Sequence, residues 1–276
     1  MSKNSYIGIF DSGIGGLTVA KNIVKSLPNE NIIYFGDTAH VPYGTKSKRQ
    51  ITQYVLNDVK FLNMFDIKAV VIACNTADSV AKDKLIHTYP DLPVFGVVEP
   101  ASELAAKTTK NGRIGVIATK ATTDSQAYNK AIAKAAPEAE VFSTACPLLV
   151  PLVENERYHR GDKVTEMVLK EYLDPLIELD IDTLVLGCTH YPLLQGIIQE
   201  LYPELNVISS SAAAADRLKE TLASADMLKE KPGSDRMYFV SDDCKGFAHN
   251  ARIFMGDSLG GKVRQVDIED TFELHK

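Results

Sequence analysis

Eight short apolar runs alternate with longer segments of helical periodicity along this chain, and this alternation limits it to few architectures. In 48–65 and 164–179, apolar residues recur at spacings of three and four, which is typical of helices with one face packed on a sheet. The short runs are rich in β-branched residues, and this favours strands. They lie at 6–10, 31–37, 68–74, 93–98, 113–119, 140–146, 183–188 and 206–210. The alternation predicts βα units and parallel sheets, which we expect to be buried on both faces.

Motifs from the first half of the chain recur in the same order in the second half. IGIFDS at 7–12 resembles IGVIAT at 114–119. VVIACNT at 70–76 resembles LVLGCTH at 184–190, and the spacing between the two motifs is similar in both halves. A repeat of this kind predicts an α/β fold of two similar domains with parallel-rich sheets.

The second half of the repeat ends well before the end of the chain, so we expect the last segment to return to the first domain. We place the boundary between the two halves near 99–112. In the returning segment, 236–243 predicts a strand and 247–256 predicts a helix. The predicted domains are 1–99 plus 211–276 for the first and 100–210 for the second.

Composition indicates an ordinary globular protein. The 276 residues are 45% hydrophobic and 24% charged, with a net charge of -6. Because no cluster of Lys and Arg with interleaved aromatic residues is present, nucleic acid is disfavoured as a partner. No apolar stretch approaches the roughly 18 residues of a membrane span, and the opening residues do not match a secretion signal. We therefore expect a cytoplasmic protein without a membrane partner.

Two of the four cysteines stand out. Cys74 and Cys188 are the last residues of predicted strands, at equivalent places in the two halves, and each precedes polar residues that do not continue a buried strand. Ligands of open α/β sheets collect at such strand ends. His190, two residues after Cys188, is a candidate acid or proton relay. Cys146 and Cys244, taken singly, are interpreted as small buried hydrophobic residues.

The turn DSGIGG at 11–16 is a second candidate site. It resembles a dinucleotide-binding turn, with Asp37 at the place of a ribose-binding acid. Thr18 replaces the third glycine, however, and Asp11 would place a negative charge beside the pyrophosphate. A glycine turn that presents backbone N–H groups, and the Ser12 hydroxyl, to a small carboxylate fits the residues better. A purely structural turn is the alternative.

Two thiols suggest a different chemistry from one. A single thiolate beside a histidine is typical of a covalent nucleophile. Two thiols that face one carbon from opposite sides suit removal of a proton on one face and delivery on the other, provided that one is ionised. Asp11 near Cys74 and His190 near Cys188 would then give the two thiols different proton affinities.

Five stretches resemble the glutamate racemase family, within the aspartate/glutamate racemase group. The resemblance extends from about Ile7 to Ser211, and 247–256 is similar to the closing helix of the family. The five stretches are IGIFDSGIGGLTV, YFGDTAHVPYG, VIACNTA, CPLLVPLVE and LGCTHYPLL.

The resemblance implies interconversion of L- and D-glutamate by two cysteines at the interface of the domains, without a cofactor or metal. Cys74 and Cys188 would be the acid/base residues, and Asp11, His190 and Glu154 would assist proton transfer. The residues at the substrate would be Asp11, Ser12, Asp37, Pro42, Tyr43, Gly44, Asn75, Thr76, Thr189 and His190. The resemblance also implies a homodimer and a supply of D-glutamate for peptidoglycan.

The chain departs from the family pattern at two places. The stretch ISSSAAAAD at 208–216 replaces a common aspartate-serine-glycine stretch. Asp78 stands where a small residue is expected, and a carboxylate facing the cleft would repel a dicarboxylate substrate. We therefore predict that Asp78 points away from the cleft.

Other functions are compatible with the same residues. One is a racemase for aspartate or another amino acid, and another is a hydrolase or lyase that uses Cys188 as a nucleophile. A dinucleotide-binding module would depend on Gly13, Gly15 and Asp37 instead. A zinc site formed by the cysteines and His190 is a further possibility, although their spacing gives it no support.

Overall fold

A computed structural model describes residues 2–256, 259 and 261–268 of the chain. Ten strands are present in this part of the chain. They are β1 (Tyr6–Asp11), β2 (Ile32–Gly36), β3 (Ile67–Ile72), β4 (Val94–Phe95), β5 (Arg113–Ala118), β6 (Glu140–Ala145), β7 (Thr183–Gly187), β8 (Asn206–Ser209), β9 (Arg236–Val240) and β10 (Val263–Gln265).

Eleven α-helices alternate with these strands in the described residues. They are α1 (Leu17–Ser26), α2 (Lys48–Leu62), α3 (Asn75–Thr88), α4 (Val98–Thr108), α5 (Lys120–Ser125), α6 (Ala127–Ala135), α7 (Leu149–Glu154), α8 (Lys163–Ile177), α9 (Gln195–Leu201), α10 (Ser210–Ser224) and α11 (Cys244–Met255). None of them is long and apolar enough to cross a bilayer.

The strands form two parallel sheets, as the alternation predicts. The first sheet has the order β10-β9-β2-β1-β3-β4, and the second has the order β6-β5-β7-β8. Every pair of neighbouring strands in the described residues is parallel. The repeated motifs occupy equivalent places, because β1 and β5 are each flanked by the strand that ends at a candidate cysteine.

Both sheets have helices on their faces, and the central strands are buried. β1, β2, β3, β5 and β7 are almost entirely shielded from solvent. The expectation that both sheets are buried on both faces is too strong for the edge strands, which are only partly buried. These strands are β4, β6, β8 and β10. Edge strands have a partner on one side only, so their side chains keep more contact with water.

The returning segment joins the first sheet. β9 pairs with β2, and β10 pairs with β9, so the predicted strand and helix at 236–256 are confirmed as β9 and α11. The segment at 99–112, where we place the boundary between the two halves, is mainly helix α4. Residues 269–276, which end the predicted first domain, lie outside the described part of the chain.

The predicted strand at 93–98 is much shorter than expected. Only Val94 and Phe95 pair with β3, and α4 begins at Val98. The backbone N–H groups of Val97 and Val98 each donate to Asp78 Oδ2 at 2.8 Å. A buried carboxylate at this point provides acceptors for the first N–H groups of α4 and so favours the start of the helix over continuation of the strand.

Candidate active site

The carboxyl ends of the central strands of both sheets meet at one cavity of about 360 Å³. This is the size of a pocket for a small molecule. Cys74 and Cys188 both line it, one from each half of the chain. The remaining lining residues are Ser12, Gly13, Ile14, Val41, Pro42, Tyr43, Gly44, Thr45, Asn75, Thr76, Thr119, Lys120, Cys146, Pro147, Val150, Pro151, Glu154, Thr189 and His190.

Cys74 lies between β3 and α3 and is held in its protonated form. Its Sγ lies 3.6 Å from Ser12 Oγ. Burial, and then the nearby Asp11 carboxyl group, raise the pKa of Cys74 to about 12, although backbone N–H groups and Ser12 oppose this. At neutral pH this side of the cavity therefore presents a thiol, which is a proton donor.

Cys188 has a cationic neighbour instead. Its Sγ lies 3.9 Å from His190 Nδ1, and His190 Nε2 lies 3.1 Å from Glu154 Oε1. Burial disfavours the imidazolium, but the contacts with Cys188 and Glu154 outweigh burial and raise the pKa of His190 to about 10. An imidazolium therefore lies beside the Cys188 sulfur. The two sides of the cavity thus differ in charge.

Asp11 lies beneath the cavity rather than on its wall. It ends β1, is almost completely buried, and accepts a hydrogen bond from the Gly13 N–H at 2.9 Å. Burial is the main cause that raises the pKa of Asp11, and His190 is the main opposing influence. Because Asp11 interacts with both Cys74 and His190, it is placed to influence both thiols through space.

The glycine turn allows the first half to approach the second closely. A Cβ atom on Gly15 would lie 2.3 Å from Thr189 Oγ1 and 2.5 Å from His190 Cε1. Thr18 is the second residue of α1. Its hydroxyl oxygen lies 3.0 Å from the Thr189 carbonyl oxygen, to which it can donate, and 3.0 Å from Ser211 Oγ. The residue that replaces the third glycine of a dinucleotide turn therefore contacts the loop that follows Cys188.

The loop at 37–45 forms one wall, and Tyr43 is its anchor. Pro42, Tyr43 and Gly44 line the cavity, and the Val41–Pro42 peptide bond is cis. The Tyr43 hydroxyl donates to Asp37 Oδ2 at 2.6 Å. Asp37 is fully buried and does not line the cavity, so it acts on the site through Tyr43.

Hydroxyl and amide groups form an adjoining wall of the cavity. The Thr76 hydroxyl lies 2.9 Å from the Thr119 hydroxyl, and α3 begins here with Cys74 at its N-cap. The Tyr128 hydroxyl donates to Asn75 Oδ1 at 2.5 Å. This wall combines a helix N-terminus with side-chain donors, which suits an anion.

The unusual stretch at 208–216 connects the two halves. Asn75 Nδ2 donates to Ser210 Oγ at 3.4 Å, and Ser210 Oγ donates to the Leu186 carbonyl oxygen at 3.0 Å. One buried hydroxyl group therefore links the residue after Cys74 to the strand that ends before Cys188.

The structure brings most of the predicted residues together and adds others. Cys146 is fully buried, as interpreted from the sequence, but it also lines the cavity. Thr119 was not predicted, although it is the counterpart of Ser12 in the internal repeat. Asp78, as predicted, does not line this cavity. In the described part of the chain, no group of three or more His, Cys, Asp or Glu side chains is placed to hold a metal ion.

The sequence pattern of the Asp/Glu/hydantoin racemase family matches residues 7–218, which is most of the chain. The chain belongs to this family. The resemblance to the aspartate/glutamate racemase group is thereby confirmed.

Similar proteins cover nearly the whole chain. A glutamate racemase of Geobacter metallireducens is 47% identical over 267 residues, which are 95% of this chain and 97% of that protein. A glutamate racemase isoform of Bacillus anthracis has the same fold, with a TM-score of 0.90 at 39% identity over 96% of this chain and 98% of that one. The Francisella tularensis glutamate racemase, solved with D-glutamate, gives a TM-score of 0.90 at 36% identity and coverages of 97% and 99%.

Proposed function

We propose that this racemase interconverts L- and D-glutamate by proton transfer at Cα between Cys74 and Cys188, without a cofactor. The observation that supports this most directly is the pair of thiols, one from each sheet, on the same cavity. Glutamate is favoured as the substrate because the similar racemases that match nearly the whole chain are named for it.

The different environments of the thiols assign a role to each in one direction. The Cys188 sulfur, beside the imidazolium of His190, takes the Cα proton as a thiolate. The Cα–H bond breaks, and its electron pair stays on the substrate as a carbanion conjugated with the α-carboxylate. The Cys74 thiol then gives its proton to the opposite face of Cα, which inverts the configuration. The opposite direction uses the same residues with their roles exchanged.

Substrate carboxylates find donors on two walls of the cavity. The N-terminal backbone N–H groups of α3, with the Asn75 and Thr76 side chains, suit the α-carboxylate, where charge develops during the reaction. Thr189 adds a hydroxyl beside Cys188. The wall formed by Ser12 and the Pro42–Gly44 segment is left for the side-chain carboxylate.

We further propose a two-domain organisation and a cellular role for the protein. The active site would lie between a first domain of residues 1–99 plus 211–276 and a second of residues 100–210. The resemblance further suggests a cytoplasmic homodimer that supplies D-glutamate for peptidoglycan.

The proposed activity is tested with L- and D-glutamate and L- and D-aspartate, each incubated with the purified protein without added cofactor. Circular dichroism follows loss of optical activity. We expect both glutamate enantiomers to converge on equal amounts of each, and aspartate to react far more slowly. Faster racemisation of aspartate would assign the chain to the other substrate, and no racemisation of either would contradict the proposal.

The pH dependence of stability tests the imidazolium of His190. The pKa of His190 is raised to about 10 from its ordinary value of 6.5. The stabilisation from its charged contacts is therefore fully present below pH 6.5 and is lost as the pH rises through about 10. We expect the difference in free energy of unfolding between wild type and His190→Gln to shrink between pH 6.5 and pH 10. A difference that stays constant, measured by urea unfolding at both pH values, would contradict a charged His190.

A further inference from the structure

A second carboxyl group lies behind the wall that Tyr43 forms. Asp58 belongs to α2, is fully buried, and places Oδ2 3.1 Å from the Tyr43 hydroxyl oxygen. Asp37 Oδ2 lies 2.6 Å from the same oxygen, on the other side. The phenol has one hydrogen and cannot donate to both carboxyl groups.

The donor count around Asp37 shows which group takes the phenol hydrogen. Asp37 also accepts from Ser241 Oγ at 2.9 Å and lies 2.8 Å from His40 Nδ1. With its hydrogen on Nδ1, His40 joins Tyr43 and Ser241 as a third donor to Asp37, which suits a carboxylate. Among the residues that the structure describes, Asp58 has the Tyr43 oxygen as its one hydrogen-bond partner, and its Oδ1 has none. A buried carboxyl group without donors is far less costly as the neutral acid.

Electrostatics agree with this count. Burial, and then the Asp37 carboxylate, raise the pKa of Asp58 well above its ordinary range, and the contact with Tyr43 opposes this only in part. Two carboxyl groups joined through one hydroxyl share a proton in this way when their environments differ.

We propose that Asp58 is a positioning residue, held as a neutral acid, that donates a hydrogen bond to the Tyr43 oxygen and so fixes the Tyr43 wall for substrate binding. The resulting chain runs from the Asp58 carboxyl hydrogen to the Tyr43 oxygen, and from the Tyr43 hydrogen to the Asp37 carboxylate. The neutral form also keeps a second negative charge away from a cavity proposed for a dicarboxylate. This inference rests on the proposed function.

Neighbouring contacts show why α2 is suited to this role. Tyr54 lies one helical turn before Asp58 on the same face of α2. Its ring stacks on His40 with centroids 4.0 Å apart and tilts against Tyr43 at 5.5 Å. The helix therefore contacts the loop at two points, through the Tyr54 ring and through the hydrogen bond between Asp58 and Tyr43.

Two variants of Asp58 separate positioning from simple packing. In Asp58→Asn, the amide replaces the acid as a donor to Tyr43, so we expect the KM for glutamate to stay within about twofold of wild type. In Asp58→Leu, the donor is lost, and we expect KM to rise about fivefold, with a smaller change in kcat. The Tm of Asp58→Leu should equal or exceed that of wild type, because an apolar side chain replaces a poorly partnered polar one. A purely structural role predicts a lower Tm and an unchanged KM.

The partner of Asp58 is identified by a double-mutant cycle. In a Tyr43→Phe background the oxygen that accepts the Asp58 hydrogen bond is absent, so adding Asp58→Leu should change KM less than about 1.5-fold. A full fivefold effect in that background would show that Asp58 acts through another group and would overturn the proposal.

Infrared difference spectroscopy tests the protonation state without substrate. Wild type minus Asp58→Asn should contain the carbonyl band of a buried carboxylic acid at neutral pH. A difference spectrum with only carboxylate bands would overturn the proposal. This result stands even if the wild-type protein fails to racemise glutamate, in which case the proposed function fails by itself.

Discussion

Replacing Cys74 by serine is expected to lower the kcat of glutamate racemisation at least about 10³-fold, and so is replacing Cys188 by serine. Positioned general acid/base groups contribute factors of about 10² to 10⁴, and each direction of the reaction needs both thiols. A serine hydroxyl at either place is a far weaker acid than a thiol, so it neither ionises to take the Cα proton nor delivers one readily. The initial rate measured by circular dichroism from each enantiomer checks this.

Exchange of the α-hydrogen in D₂O tests whether the two thiols face opposite sides of Cα. With one thiol missing, the other still faces one side of Cα, so it should exchange the α-hydrogen of one enantiomer without inverting it. Cys74→Ser and Cys188→Ser should therefore retain exchange with opposite enantiomers, as measured by NMR.

The matched control is Cys244→Ser. Cys244 begins α11 and lies within hydrogen-bond distance of the Val263 carbonyl oxygen, away from the cavity lining. We expect this variant to racemise like wild type. Racemisation at the wild-type rate by Cys74→Ser or by Cys188→Ser would exclude the two-thiol mechanism. If both variants exchanged the α-hydrogen of the same enantiomer, the two thiols would not face opposite sides of Cα.

The strand pattern and the internal repeat predicted much of this fold, because a buried strand requires a local run of apolar residues and each half of the chain contains the same motifs. Apolar runs identified the central strands, and the rule that ligands meet strand ends placed Cys74 and Cys188 together. The end of β4 was not predictable in this way. It depends on a long-range contact, since Asp78 on α3 binds the N–H groups of Val97 and Val98.

Two parts of the site show what local reasoning overlooks. Thr119 has a signal in the repeat, as the counterpart of Ser12, but its proximity to Thr76 comes only from the packing of the two halves. Asp58 lies within the apolar stripe of α2, between Val55 and Val59, which are both fully buried. A charged residue in such a stripe indicates a buried polar contact, but it does not identify Tyr43 as the partner.

A buried ion pair at the amino-terminal end of β3, the end remote from Cys74, gives the second large expected effect. Lys68 on β3 is almost completely buried, and its Nζ lies 2.6 Å from Glu30 Oε2. The same ammonium donates to the carbonyl oxygens of Lys3 and Met227, each at 2.8 Å. Glu30 in turn accepts from the Lys229 N–H at 2.8 Å. The pair therefore ties the segment after α10 to the first sheet.

Lys68→Met is expected to lower the free energy of unfolding by about 3–5 kcal/mol, because it leaves the Glu30 carboxylate buried without its cation. Adding Glu30→Gln should recover part of this loss, since the amide oxygen can still accept from the Lys229 N–H and no charge is left buried. Lys163→Met, which removes a surface pair with Glu166, should leave stability almost unchanged. Urea unfolding at neutral pH measures all three. Because Lys68 does not line the cavity, the KM for glutamate of folded Lys68→Met should match that of wild type, and a double variant no more stable than Lys68→Met would contradict a buried charge as the cause.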